Sequence, residues 1–345
     1  MNLNDKMKYF FFNFFLFLSI CSFSSCKAQE TFGENYLKLT KTISLPGIKG
    51  RIDHLDINLK DQIVYIAALG SNAVEVVDLN SGKIVHSITG FDEPQGIVYL
   101  PQNHEIFIAN GGNGDCYFYN ANTFEKVAIV HLKSDADDVR YDSAERKIYV
   151  GYGSGGIAII DADTHEQSGY VKLPAHPEGF QIDKHNYLLY VNLPGKDMVG
   201  VVDIKKRKLI NNIRKNYRSG NFPMALDATG NRLFIGYRHP GKLVVMNTKS
   251  GHRISVNDLT NDSDDLFYDE ETKRVYVSCG GGYANLGYIN IFQFQGGDKY
   301  IQIANIPTRN GARTSLLVPQ LNLFMVAQPS VYTHDGELMV YKIQK

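Results

Sequence analysis

The sequence predicts an all-β fold, a seven-bladed β-propeller. Three observations carry the prediction: a short phrase that recurs seven times, a second strand of near-constant pattern after each copy, and an N-terminal strand that can complete the last repeat. The phrase is a few polar residues leading into an apolar-alternating run that usually closes on Asp. Its first copies are Asp53-His54-Leu55-Asp56-Ile57, Gln95-Gly96-Ile97-Val98-Tyr99 and Asp137-Asp138-Val139-Arg140-Tyr141-Asp142. It continues at Glu178-Gly179-Phe180, Phe222-Pro223-Met224, Asp264-Asp265-Leu266 and, most weakly, Arg313-Thr314-Ser315. With Leu55, Ile97, Val139, Phe180, Met224, Leu266 and Ser315 as equivalents, the repeat is about 42 residues, room for four short strands.

The second strand of each unit reads Val64-Tyr65-Ile66-Ala67, Ile106-Phe107-Ile108-Ala109, Ile148-Tyr149-Val150-Gly151, Leu189-Tyr190-Val191-Asn192, Leu233-Phe234-Ile235-Gly236, Val275-Tyr276-Val277-Ser278 and Leu323-Phe324-Met325-Val326. A Gly- or Asn-rich connection follows, suited to tight turns that need positive φ. Third strands such as Ala73–Asp78, Ile157–Asp161 and Val199–Asp203 lead through turns such as Asn80-Ser81-Gly82-Lys83 to an outer strand. The seventh unit ends on its third strand, Glu337–Lys342. The stretch Tyr36–Thr42 can supply the missing outer strand and so remove an exposed sheet edge. Residues 36–345 are expected to form one propeller, with residues 27–35 as a short linker.

The second strands resemble those of the bacterial YVTN-repeat β-propellers. Tyr190-Val191-Asn192-Leu193 is nearest to the namesake tetrapeptide, and Tyr149-Val150-Gly151-Tyr152 and Tyr276-Val277-Ser278-Cys279 are looser copies. The resemblance spans nearly all of the chain after the N-terminal segment, although the strict tetrapeptide does not occur. It implies an extracytoplasmic binding or surface protein. The lactonase-like label carried by some members rests on fold analogy and does not establish chemistry.

The N-terminal segment reads as a secretion signal. Lys6 and Lys8 precede the apolar run Tyr9–Ile20, and small residues then lead to Cys26. The run is too short to span a bilayer comfortably. Phe23-Ser24-Ser25-Cys26 resembles a loose lipobox, which would make residues 1–26 a lipoprotein signal and Cys26 the acylated first residue. Cleavage after Ala28 would instead give a soluble periplasmic protein. Either way the protein is expected outside the cytoplasm, touching membrane only through an N-terminal lipid anchor. Cys116 and Cys279, far apart among the repeats, read as small buried apolar residues rather than a disulfide.

Thirty-six basic and thirty-six acidic residues balance, so the chain lacks the basic surplus of a nucleic-acid binder. Gly151-Tyr152-Gly153-Ser154-Gly155-Gly156 matches a dinucleotide fingerprint by letter, but a strand should follow it where that fingerprint needs a helix. There is no P-loop lysine, haem-attachment motif, paired-Cys metal site or nucleophile elbow, so neither nucleotide nor haem is expected.

In a propeller the loops into the innermost strands and those between second and third strands open on one face, where function has to be sought. Aligning the repeats places Arg51, Asp53, His54, Asp137, Asp138, His176, Glu178, Asp264, Asp265 and Arg313 in the first set of loops. Asn110, Tyr152, Asn192 and Arg238 fall in the second. These are the candidate ligand-binding residues. The runs Asp135–Asp138 and Asp262–Asp265 occupy the same loop of units three and six. Converging carboxylates raise one another's pKa unless a cation neutralises them, so Asp138, Glu178 and Asp265 are candidate ligands for Ca²⁺ or another divalent ion. The competing expectation is that each Asp caps its own turn. Arg51, Arg238 and Arg313 suit a small polar or anionic molecule, or they neutralise the acids as a salt network.

The leading expectation is a binding propeller that takes such a molecule, or an envelope protein partner, at its mouth. A metal-dependent lactonase-like hydrolase, with His54, His176 or Glu178 shuttling protons, is the alternative. A structural docking platform of the envelope is a third. The two forms of the N-terminus are separable by metabolic labelling with palmitate. Label lost on Cys26→Ser is the outcome expected of the lipobox, and an unlabelled wild type is the outcome expected of cleavage after Ala28.

Overall fold

A computed structural model describes residues 33–214, 220–283, 285–331 and 334–345. The signal segment and Cys26 lie outside the described residues. Within them the chain forms seven four-stranded antiparallel sheets, each made of consecutive strands except the last. In that sheet the outermost strand is Leu37–Leu45, paired antiparallel with the final strand Gly336–Ile343 from Leu37 opposite Ile343 to Leu45 opposite Gly336. The expected closure of the ring is therefore present, with a strand that starts one residue later and runs three residues further than the sequence suggested.

The innermost strands are Leu55–Asn58, Pro94–Leu100, Ala136–Asp142, Phe180–Asp183, Asn221–Asp227, Ser263–Asp269 and Thr314–Val318. The seven residues taken as equivalents occupy one register position. Leu55 faces Ile66, Ile97 faces Ile108, Val139 faces Val150, and the same holds for Phe180 with Val191, Met224 with Ile235, Leu266 with Val277 and Ser315 with Val326.

The apolar character of the second strands follows from where they lie. A strand covered on both faces by neighbouring blades reads as a continuous apolar run, and Glu105–Asn110 and Arg274–Cys279 are buried at all of their positions. Outer strands meet solvent and are exposed or half-buried at all but one position instead. The core is thus distributed over the contacts between adjacent blades. At the closure, Ile43 and Leu45 pack with Ile57 and Ile66 of the first blade and Met325, Ala327 and Leu338 of the last.

The recurrent Asp or Asn that ends a strand has a local purpose. Asp161 Oδ1 accepts the backbone N–H groups of Asp163 and Thr164, both at 2.9 Å, and Asn120, Asp78 and Asn247 form the same turn. The glycine-rich stretch from Gly151 to Gly156 is a turn between two strands, as its context required. Cys116 and Cys279 are free and fully buried.

Leu45 is buried and Leu39, on the same strand, is 45 % exposed. Leu45→Ala is expected to lower the unfolding free energy by about 2–5 kcal/mol. Leu39→Ala should stay within about 0.5 kcal/mol. Chemical denaturation of both variants checks the claim that the N-terminal strand closes the ring.

Candidate functional site

A cavity of about 1160 Å³ follows the innermost strands, from Arg51, Asp135 and His176 at one end to Lys60, His104 and Ser143 at the other. Most of the charged residues that line it sit at the first end, where each innermost strand begins. Four of these strands carry a register shift there, between Pro94 and Ile97, Ala136 and Val139, Asn221 and Met224, and Ser263 and Asp265. A bulge inserts a residue and re-aims its neighbours, and in the third and sixth blades those neighbours are Asp137, Asp138, Asp264 and Asp265. Gly96 and Gly179 hold the same position in blades two and four because neighbouring backbone presses on them. A Cβ would lie 2.1 Å from the Asp137 carbonyl oxygen at the first and 2.5 Å from the Phe222 carbonyl oxygen at the second.

The mouth falls into three sectors. In the first, spanning blades five to seven, two arginines enclose two aspartates. Arg313 Nη1 is 2.8 Å from Asp262 Oδ1 and Arg313 Nε is 2.8 Å from Asp264 Oδ2. Arg238 pairs with Asp264, donates from Nε to the Ser263 carbonyl at 3.0 Å, and lies 3.4 Å over the Phe222 ring. Burial pushes the Asp264 carboxyl upward, but Arg238 and Arg313 outweigh it and hold its pKa below the usual value. The guanidinium forks expected to grip a ligand are largely taken up by these carboxylates.

The second sector is built around His54. Its Nδ1 is 3.3 Å from Asp265 Oδ1, and its Nε2 is 3.7 Å from Asp53 and 4.0 Å from Asp138. Burial opposes the charged imidazole, yet the carboxylates of Asp265, Asp53 and Asp138 raise its pKa well above the ordinary value. Arg51 holds Asp53 at 2.8 Å, and Arg140 holds Asp138. The remaining oxygens bind the next blade: the Phe180 N–H donates to Asp138 Oδ2 at 3.2 Å and the Ser315 N–H donates to Asp265 Oδ2 at 2.7 Å. These carboxylates cap a neighbouring blade rather than their own turn.

The third sector, between blades three and four, differs. One ligand atom each of Asp137, His176 and Glu178 lies within 4.8 Å of the other two. His176 Nδ1 is 2.6 Å from the Gly153 carbonyl oxygen, and its Nε2 is 3.8 Å from Asp137 Oδ2. The interaction with Asp137 raises the His176 pKa to about 9 against the opposing effect of burial. Burial, and then the Asp137 charge, push the Glu178 carboxyl to about 8 although His176 opposes them. Among the described residues no Arg or Lys makes an ion pair with Asp137 or Glu178.

The candidate metal ligands Asp138, Glu178 and Asp265 are therefore not brought together as a set. Both Asp138 and Asp265 have each oxygen occupied by a backbone N–H on one side and a cationic side chain on the other, and Glu178 groups with Asp137 and His176 instead. Asn110, Asn192 and Tyr152 also stand away from the cavity lining. Asn192 is buried and donates to the Phe222 carbonyl at 2.9 Å, Asn110 donates to the Asp115 carbonyl at 2.8 Å, and Tyr152 packs beside Tyr170. Asp56 and Arg140, not singled out from the sequence, line the channel below the mouth. Strand alternation was the available signal, since residues two apart share a face and Asp56 and Arg140 follow His54 and Asp138 at that spacing.

No family model matches this chain, and no curated protein is similar to it. Among solved structures it is similar to a chain of one described as "Crystal Structure of Mitotic Checkpoint Complex", with a TM-score of 0.73 and 16 % identity over 89 % of this chain and 92 % of that one. At that identity the likeness shows the fold alone: this is a seven-bladed β-propeller.

Asp56, half-buried in the channel, accepts the Tyr99 N–H at 2.7 Å, and burial raises its pKa to about 6 against that bond and Arg140. A raised carboxyl pKa means that the folded state holds the proton more tightly, so its contribution to stability is lost as pH rises from about 4 to about 6. Asp53, raised to about 6 chiefly by burial, acts in the same window, and His54 acts in the same direction above its ordinary value. The melting temperature is expected to fall as pH rises from about 4 to about 6 and to go on falling above the ordinary histidine value. Asp56→Asn, which keeps an acceptor for Tyr99, should flatten the curve and stabilise the protein at pH 8 by up to about 3 kcal/mol. An unchanged pH profile in that variant would contradict the assignment.

Proposed function

We propose that this chain is an extracytoplasmic binding propeller of the YVTN-repeat type, taking a small polar molecule at the mouth of its central channel. The observation that carries the reading is the unequal compensation of charge around that mouth. Arg238, Arg313, Arg51 and Arg140 are engaged with Asp262, Asp264, Asp53 and Asp138, while Asp137 and Glu178 face a polar cavity beside His176 and, among the described residues, make no ion pair with an Arg or Lys. A group of that kind attracts a cation or a hydrogen-bond donor. Arg51, whose side chain is 51 % exposed, is the mouth arginine with most freedom to meet an anionic end of the same molecule. Cavities of this size with a few convergent polar groups suit small ligands. The leader-like N-terminus supports placement outside the cytoplasm.

One observation favours a hydrolase as the second reading. His176 and Glu178 sit side by side with pKa values near the working range of acid–base catalysis. Activity on lactones that vanishes in both His176→Gln and Glu178→Gln would move the assignment from binding to catalysis.

The binding reading is tested with a panel of amino acids, polyamines and sugar acids in thermal-shift assays, followed by calorimetry of each compound that stabilises the protein. Glu178→Gln and Asp137→Asn are expected to weaken a true ligand by at least about tenfold, equivalent to about 1.4 kcal/mol. Compounds that bind both variants as tightly as the wild type would place the site elsewhere and sink the proposal.

A further inference from the structure

We infer that Asp137, His176 and Glu178 form a site for a divalent first-row transition-metal ion at the channel mouth. The inference goes beyond the ligand reading and does not need it, because an ion requires only these three side chains and water.

Geometry is the first support. Ligand atoms bound at about 2.0–2.2 Å from one ion stand roughly 3–3.5 Å from each other. The three side chains already bring theirs within 4.8 Å, with His176 Nε2 and Asp137 Oδ2 at 3.8 Å, so small side-chain rotations complete the set. The backbone beneath them is fixed. The Glu178 N–H donates to the Asn192 carbonyl and the Asn192 N–H donates back to the Gly179 carbonyl, both at 3.0 Å.

The second support comes from outside the cluster. His176 Nδ1 is 2.6 Å from the Gly153 carbonyl oxygen, and the Gly153 N–H is held by the Asp135 carbonyl at 2.8 Å. A histidine that donates from one ring nitrogen to a carbonyl offers the lone pair of the other to an ion that displaces its proton, which is the arrangement found behind metal-ligating imidazoles. Here that other nitrogen is Nε2, on the side of Asp137. Gly153 adopts a φ of +61°, a left-handed conformation that glycine takes readily, which places its carbonyl in this position.

The donor set names the class of metal. One imidazole and two carboxylates suit Zn²⁺, Mn²⁺, Fe²⁺ or Co²⁺, whereas Ca²⁺ prefers six to eight oxygens and gains little from nitrogen. Of the other mouth carboxylates, Asp138, Asp264 and Asp265 are bound to arginines, His54 or backbone N–H groups, and Asp135 lies 3.7 Å from Nδ1 of His176, on the ring nitrogen that faces the Gly153 carbonyl rather than on Nε2. Three protein ligands leave the remaining coordination positions to water, directed into the cavity.

The test uses chelator-treated full-length mature protein and calorimetric titration with Zn²⁺, Co²⁺ and Ca²⁺, each alone. One Zn²⁺ per chain is expected, with Ca²⁺ at least about 100-fold weaker. Bound Co²⁺ should show visible ligand-field absorption. His176→Ala, Asp137→Asn and Glu178→Gln should each lose about 100-fold or more in Zn²⁺ affinity. His131→Gln, which removes an exposed histidine paired with Asp115 on the outer strand of blade two, should bind as the wild type does. Circular dichroism of each metal-free variant establishes that the fold is kept, and the two carboxyl-to-amide changes are close in shape to the original side chains. Absence of Zn²⁺ binding in the wild type, equal binding in the three ligand variants, or Ca²⁺ affinity equal to that of Zn²⁺ would each overturn the inference. None of these results depends on an organic ligand, so failure here is separable from failure of the binding proposal.

Discussion

Several of the charges near the channel axis, Asp53, Asp138 and Asp265 among them, sit on buried side chains, so each has to be compensated by the blades around it. Seven strands begin at one ring, and their first side chains have nowhere else to go. His54 shows how far the consequence reaches. It comes from blade one and stands within 4 Å of carboxylates from blades three and six, so a single imidazolium joins parts of the ring that share no backbone hydrogen bonds. The carboxylates it meets also accept N–H groups of the following blade. Neutralising the axis and joining the blades are therefore one task, carried by the same atoms.

The rest of the fold works within that constraint. Blade-to-blade contact is mainly apolar, and the strand Leu37–Leu45 extends the same packing across the junction of the chain's two ends. Buried amides and hydroxyls continue the pattern away from the axis: Asn221 bridges Asn192 and the Met198 carbonyl, and Ser278 bridges the Arg313 carbonyl and Ser315. Such groups are costly unless they are bonded, and bonded they fix how neighbouring blades align.

The fold was legible in the sequence because a propeller repeats its pattern. The position shared by Leu55, Val139 and Met224 recurs in the sequence at the repeat spacing and is one register position in the sheets. The face on which the loops converge was legible for the same reason. What the sequence could not supply was the partner of each charge. Asp138 and Asp265 look like free carboxylates in a run of acids, and only the inter-blade distances show that His54, Arg140 and two backbone N–H groups occupy them. Asn192 reads as a loop amide facing the mouth, yet it lies within the strand Leu188–Leu193, which carries its side chain into the contact with blade five. Bulges add a further obstacle. One inserted residue between Ala136 and Val139 changes which of two adjacent aspartates meets the axis and which meets His176, and adjacent letters cannot tell them apart.

The resulting mouth is divided: blades five to seven and the axis are closed upon themselves, while Asp137, His176 and Glu178 are left facing the cavity. That division is the centre of the account, and histidine NMR examines it directly. In protein labelled at the histidine Cε1 carbon, His176 and His54 are separate probes of the open and closed sectors among ten histidines. On addition of Zn²⁺ the His176 resonance is expected to shift or broaden at one equivalent while that of His54 moves far less. A His54 resonance that responds while His176 stays in place would contradict that division.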